Sequence, residues 1–365
     1  MRIKLLLYIL LGAATAQAQV LFTQKSTDVG RLKLTLSNAG TVGRPAVRSN
    51  TQGAPSMAYP QKGNEHLFES GMWIGALVDG QPLVSTSALD ASSGYSTGGN
   101  GFEFTPLSTI QERSSLTASS VFSSAAISHQ DFVMQFSDTA TIVPGTSTPI
   151  AGHTHPLKAH VKLETYAWNY SFADFFVICN YKITNTSNKR WDSVYVGQWS
   201  DLVVRNVNVT RQSGTNFYNK GRNGVDTKYK SIYAWLSDLS ADDIEYINSY
   251  GAIQFLGIEY RGMFFNPDKP IRLCNVAGLN HKLITTFGIS TLLLTILYSG
   301  TENPLVDFGS GKTRTTSIDP LVISVALSTI NTSFSVWLKR TDEQSARKLN
   351  ANNFRFFFMI YKFNI

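Results

Sequence analysis

Short segments in which apolar and polar residues alternate constrain the fold of this chain more than any other feature. Residues 31–37 alternate without a break, and a period of two places the apolar side chains on one face of a β-strand. The pattern predicts an all-β chain, with antiparallel strands of the β-sandwich type. Further segments of this kind, separated by clusters of Gly, Asn, Ser and Pro, lie at 72–78, 131–136, 159–170, 174–184, 193–204, 229–236, 252–260 and 321–327.

Helical periodicity is rare, so only a few short helices are expected. The clearest covers residues 240–251, because Ser240 and Asp243 can form a capping box and Gly251 can end the helix in the left-handed conformation. A second helix is predicted to begin at Thr341, where Gln344 completes another capping box.

The first eighteen residues have the pattern of an export signal. Arg2 and Lys4 precede an apolar run over 5–14, and an Ala-Gln-Ala triplet ends at Ala18. The run is short for a bilayer span. We therefore expect cleavage near Ala18, no transmembrane anchor, and a protein that is secreted or lies on the outer cell surface.

Loop-rich and irregular stretches suggest a division of the chain. Residues 144–152 form the candidate boundary, and the apolar stretch 283–298 is interpreted as a buried strand pair. The last residues combine Phe, Ile, Lys and Asn without a period, which raises the hypothesis of a shifted reading frame. The predicted organisation is a signal peptide (1–18), an N-terminal β-rich region (19–145), a β-sandwich region (153–352) and an irregular tail (353–365).

The net charge of +7 does not indicate a nucleic-acid partner. Arg2 and Lys4 contribute two of these charges, and residues 309–365 contribute five through eight basic and three acidic residues. Residues 19–308 are therefore neutral overall. Because binding to nucleic acid needs a basic stripe across the folded body, we expect no such partner.

Two cysteines, Cys179 and Cys274, are too few for a disulfide scaffold. Alternation over 175–183 places Cys179 on the core face of a strand. A buried core residue, a disulfide with Cys274 and a reactive thiol remain open for this position.

Three motifs resemble ligand sites but depart from the required spacing. His153 and His155 lie two residues apart, whereas His160 has the opposite parity and Pro156 interrupts the strand, so no metal site is predicted. An EF-hand loop starting at Asp238 would lack its glycine and its final glutamate, so calcium is possible but unassigned. Residues 309–313 imitate the end of a P-loop without its first glycine. No cofactor is identified.

No catalytic residue can be assigned, since the common hydrolase signatures are missing from the sequence. Paired carboxylates for glycoside hydrolysis could come from any two of seven acidic residues. Three aromatic residues of the predicted strand 159–170 form the one candidate ligand-stacking site, although packing in the core explains the same spacing. The carboxylates are Glu69, Asp131, Asp138, Glu164, Asp174, Asp201 and Glu259, and the aromatic residues are Tyr166, Trp168 and Tyr170.

A resemblance rests on the order of several segments. They are 38–45 (NAGTVGRP), 59–60, 64–76 (NEHLFESGMWIGA), 131–132, 136–139, 166–168 (YAW), 174–187, and 195–197 with Asp201. In this order they resemble a family of large exported bacterial surface proteins, many of which end in a type IX secretion sorting domain. The resemblance implies export and a β-rich body, and it brings no established catalytic residues. A sorting domain is not recognised here, so the pattern does not extend to surface attachment.

These patterns together predict an exported surface or extracellular protein with a structural or binding role. Its partner would be an extracellular glycan or a surface protein. The alternative is an extracellular hydrolase acting on glycans, and the missing catalytic motifs favour the non-enzymatic role.

Overall fold

The computed structural model confirms the all-β prediction. It describes residues 20–43, 55–60, 64–88, 99, 101–206, 208–209, 221–226, 229, 231–236, 244–260, 263–265, 271–275, 291–296 and 353–363. These ranges contain strands and turns but no helix. Within them, no helical segment has the length and apolar character needed to cross a membrane. The predicted signal peptide, the helix at Thr341 and the strand at 321–327 lie outside the described residues.

The described strands are named in chain order. They are β1 (Gln24–Ser26), β2 (Lys33–Ser37), β3 (Thr41–Gly43), β4 (Met57–Ala58), β5 (Asn64–Val78), β6 (Gln81–Thr86), β7 (Thr105–Pro106), β8 (Gln111–Arg113), β9 (Gln130–Ser137), β10 (Ala159–Ala167), β11 (Phe176–Asn185), β12 (Asp192–Asn206), β13 (Gly221–Asp226), β14 (Ser231–Leu236), β15 (Tyr250–Tyr260), β16 (Met263–Phe265), β17 (Ile271–Asn275), β18 (Thr291–Ile296) and β19 (Asn353–Phe363).

The strands form two antiparallel sheets. Sheet A has the order β1-β2-β3-β5-β12-β18-β17, with β4 beside β2 and β5 and with β6 beside β5. Sheet B has the order β13-β14-β15-β19-β11-β10-β9-β7, with β16 beside β15 and β8 beside β9. One hydrophobic core contains residues of both sheets, such as Ile74 and Val196 of sheet A and Val161 and Ile232 of sheet B. This shared core is the arrangement expected of a β-sandwich.

Alternation defines the two faces of sheet B. Val161 and Leu163 of β10 pair with Ile183 and Tyr181 of β11, and all four side chains are buried in the core. The intervening residues lie on the opposite face, called the outer face below. Cys179 belongs to the core series and is a buried free thiol, so the core interpretation is confirmed and the disulfide is not formed.

The predicted helix at 240–251 is wrong in its described part. Residues 244–245 form a turn, and Tyr250 and Gly251 belong to β15, which pairs with β14 and β19. A Cβ atom at Gly251 would lie 2.8 Å from the carbonyl oxygen of His66 in sheet A. Gly251 therefore allows a close approach of the two sheets instead of ending a helix. Pairing with two neighbouring strands overrides the local capping signal.

The C-terminal residues also differ from the predicted irregular tail. Residues 353–363 form β19, which lies between β11 and β15 and pairs with both along its length. Strands β9 and β10, which lie on either side of the loop at 144–152, pair at eight positions. Residues 108–128 contain the short strand β8 and turns.

Candidate functional site

The three predicted stacking residues do not share one strand face. Strand β10 ends at Ala167, so only Tyr166 lies in the strand, where it is 6% exposed. Trp168 is half-buried, and Tyr170 is 48% exposed. The predicted ladder is therefore wrong as a strand feature, and its members occupy three different environments.

Two loop residues end β10 at this point. The amide of Ala167 donates to Ser128 Oγ at 3.0 Å, and the amide of Asn169 donates to His129 Nδ1 at 3.1 Å. Because side chains take these backbone donors, the chain leaves the sheet and turns back toward β11. The amide of Ala173 then donates to the carbonyl of Tyr170 at 2.8 Å and closes the turn.

This turn, residues 168–174, presents a pair of exposed rings and is called the aromatic turn. Tyr170 and Phe172 stack with their centroids 5.3 Å apart and their planes only 6° from parallel. The ring of His129 meets Tyr170 edge-on at 4.6 Å. Phe172 is 73% exposed, and sequence alternation missed it because it lies outside any strand. The sequence Trp-Asn-Tyr-Ser-Phe at 168–172 could have indicated Phe172, because it continues the spacing of the aromatic residues beyond Tyr170.

The backbone of the aromatic turn is held by a second loop. The amides of Arg31 and Leu32 both donate to the carbonyl of Asp174, at 2.8 and 3.0 Å. Gly30 has a φ of +76°, and a Cβ atom there would lie 2.7 Å from the carbonyl oxygen of Trp168. The exposed rings are therefore carried by a turn that is anchored from two sides, which reduces the entropy lost when a ligand binds.

Polar and charged groups lie beside Tyr166 on the outer face of sheet B. Asn180 Nδ2 donates to the Tyr166 hydroxyl at 3.1 Å, and Lys162 Nζ pairs with Glu164 Oε1 at 2.9 Å. Burial raises the pKa of Tyr166, so its hydroxyl is a neutral donor and acceptor at physiological pH. Among the described residues, no group forms a hydrogen bond with the buried Oδ1 atom of Asn180.

Of the seven candidate carboxylates, Asp131 and Glu164 are brought together by one arginine. Arg113 Nη2 lies 3.1 Å from Asp131 Oδ2 and 3.4 Å from Glu164 Oε1. Asp131 is completely buried, and it also accepts the Ser128 hydroxyl and the amides of Ser128 and Ile127. Through these bonds Asp131 holds the loop before β9. Because its carboxyl group is buried, a substrate cannot reach it.

His153 and His160 of the histidine motif contact different parts of the fold. His153 is buried, with its ring nitrogens 3.2 and 2.8 Å from the carbonyl oxygens of Val84 and Asp138, whereas His160 Nε2 contacts Gln135 Oε1 at 2.9 Å. Burial, with a smaller effect of Lys182, lowers the pKa of His160. Among the described residues, no group of three or more His, Cys, Asp or Glu could hold a metal ion.

Two buried carboxyl groups lie near His153. Asp138 accepts the Ser85 hydroxyl at 2.6 Å and the Ala159 amide at 2.7 Å, and Glu103 accepts the Thr86 hydroxyl at 2.8 Å. Burial raises the pKa of both carboxyl groups, and the hydrogen bonds and the charge of His153 only partly oppose it. Both carboxyl groups are buried, so we expect their ionisation to change the free energy of unfolding and not to take part in binding.

The protein is expected to become less stable as the pH rises from about 4 through the raised pKa of Asp138. The folded state binds the proton more tightly than the unfolded state, so the stabilising effect is complete at low pH and is lost as the carboxyl ionises. Asp138→Asn preserves the shape, because the Ser85 hydroxyl can accept from the new amide. Urea unfolding at several pH values should show a shallower decline for this variant, while Asp79→Asn, at an exposed site, retains the original slope.

No family model matches this sequence, and no curated protein matches it. The fold and the site therefore define the class of protein by themselves: an antiparallel β-sandwich that carries an anchored turn with exposed aromatic rings.

Proposed function

We propose that the protein is an exported, non-catalytic β-sandwich that binds an extracellular glycan through the aromatic turn. The observation that carries the proposal is the stacked, solvent-exposed pair of Tyr170 and Phe172. Exposed aromatic rings bind sugar rings through their apolar CH faces, while nearby polar groups bind the hydroxyls. The export signal predicted in residues 1–18 supports an extracellular ligand.

The neighbourhood of the turn fits a sugar better than a purely apolar ligand. The Tyr166 hydroxyl, Lys162 and Glu164 supply donors and acceptors on the adjoining outer face. The alternative, hydrolysis of glycans, would need two accessible carboxyl groups. The pair formed by Asp131 and Glu164 is bridged by Arg113, and Asp131 is completely buried. Glu69 and Asp201 lie opposite each other on β5 and β12, but Glu69 is buried as well. Neither pair offers two accessible carboxyl groups, so binding without cleavage is favoured.

A glycan array and a hydrolysis screen on the purified full chain test this proposal. The double variant Tyr170→Ala/Phe172→Ala should weaken binding to the array hits at least about tenfold, or about 1.4 kcal/mol. Its melting temperature should change little, because Tyr170 is about half exposed and Phe172 is largely exposed. Release of reducing ends by the wild type would instead support the hydrolase.

Ile142→Ala provides the matched control. Ile142 is 50% exposed and follows β9, whereas the aromatic turn contacts residues that precede β9. The control should bind like the wild type. Equal binding by the wild type and the double variant would contradict the proposal.

A further inference from the structure

A second group of aromatic rings lies on the outer face of sheet B, far along the chain from the aromatic turn. Tyr233 and Trp235 of β14 and Tyr250 of β15 form a compact triangle, with ring centroids 5.5, 5.9 and 6.0 Å apart. All three side chains are half-buried, whereas Ile232 and Ala234 between them are buried in the core. This group is called the β14 cluster.

A glycine determines how the β14 cluster sits on the sheet. Gly224 of β13 pairs with Tyr233, and a Cβ atom there would lie 2.6 Å from the tyrosine ring. The Tyr233 ring therefore lies over Gly224 of β13, in space that the side chain of any other residue would occupy. Arg222, which is exposed and pairs with Trp235, adds a polar border to the cluster.

Strand register places the β14 cluster on the same face of sheet B as Phe176, which contacts Trp168 of the aromatic turn. Trp168 contacts Phe176 of β11 with centroids 6.1 Å apart, and Phe176 alternates with the buried core residue Val177. Phe176 pairs with position 361 of β19, this position pairs with Ala252 of β15, and Ala252 pairs with Tyr233. Three steps between neighbouring strands correspond to about 14 Å.

We propose that the aromatic turn and the β14 cluster are two ends of one extended site for a linear polysaccharide that runs across the strands of sheet B. This inference rests on the proposed function and specifies its ligand as a polymer. One sugar ring cannot reach from Phe176, beside the aromatic turn, across three strand spacings of about 14 Å to Tyr233. A chain of repeating sugars presents the same apolar face many times, so it can occupy both groups at once and gain from the high effective concentration of the second contact.

The composition of the two ring groups favours this occupant over a protein. Protein interfaces of stable complexes have an apolar centre surrounded by a polar rim. Here, the described rings form small groups with phenol and indole donors, and Gln254 of β15, beside the β14 cluster, donates from its Nε2 atom to the carbonyl of Tyr229 at 2.8 Å. Two separate stacking points with polar surroundings suit a repeating ligand.

The test compares long and short sugars on the full chain. Soluble xylan, laminarin, dextran and hydroxyethyl cellulose, each beside its disaccharide, are used in affinity electrophoresis and calorimetry. Trp235→Ala should weaken binding of the retained polysaccharide at least about tenfold, while it leaves binding of the disaccharide at the aromatic turn unchanged. Ile142→Ala is again the control.

The outcomes separate this inference from the proposed function. If Trp235→Ala changes neither affinity, or if the polysaccharide binds no more tightly than the disaccharide, the extended site is overturned and glycan binding at the turn stands. If none of the polysaccharides is retained, both are overturned. Should Trp235→Ala fail to fold, Tyr250→Ala at the border of the cluster replaces it with the same expected result.

Discussion

Cys179→Asp is expected to prevent folding, whereas Cys179→Ala should cost only about 1 kcal/mol. Cys179 is completely buried in β11, between the paired strands β10 and β19. Burial already raises the pKa of its thiol far above the ordinary value, which shows how strongly this position disfavours a charge. An aspartate there would be an uncompensated charge in the middle of the core.

Soluble yield and urea unfolding distinguish the two variants. Cys179→Ala should remain soluble and unfold cooperatively at a slightly lower urea concentration. Cys179→Asp should be recovered as insoluble or unfolded protein. Similar stability of both variants would show that the phase of β11 is wrong.

Arg205→Met is expected to destabilise the protein by about 3–5 kcal/mol, because it leaves a buried carboxylate without its partner. Arg205 of β12 and Glu65 of β5 are buried and form an ion pair, with Arg205 Nε 2.7 Å from Glu65 Oε2. Glu65 also accepts the amide of Ser56 at 2.9 Å, and the guanidinium lies 5.4 Å from the centre of the Phe68 ring.

Urea unfolding of a matched pair of variants isolates the effect of burial. Lys189→Met removes one partner of an exposed ion pair with Asp79, whose side chains are 55% and 65% exposed, and should change stability by less than about 1 kcal/mol. The double variant Glu65→Gln/Arg205→Met should recover part of the lost stability, because neither position of this pair then carries a buried charge. A loss for Arg205→Met as small as that for Lys189→Met would refute the role of burial.

The position of the strands could be predicted because alternation is a local property. The prediction of a strand at 131–136 corresponds to β9, and that at 174–184 corresponds closely to β11. The end of β10 could not be predicted, since Ser128 and His129, which accept from the amides of Ala167 and Asn169, lie 39 and 40 residues earlier in the chain than these residues. The exposure of Tyr170 and Phe172 follows from that contact.

The sequence by itself determined the all-β class, the phase of the core strands and the burial of Cys179, because each depends on a period of two within a few residues. Only the tertiary structure decided that 250–251 join a strand, that 353–363 lie inside sheet B, and that Tyr166 and Tyr170 occupy different environments. These features depend on pairing between segments far apart in the chain. The free energy of such pairing overrides local capping and periodicity signals.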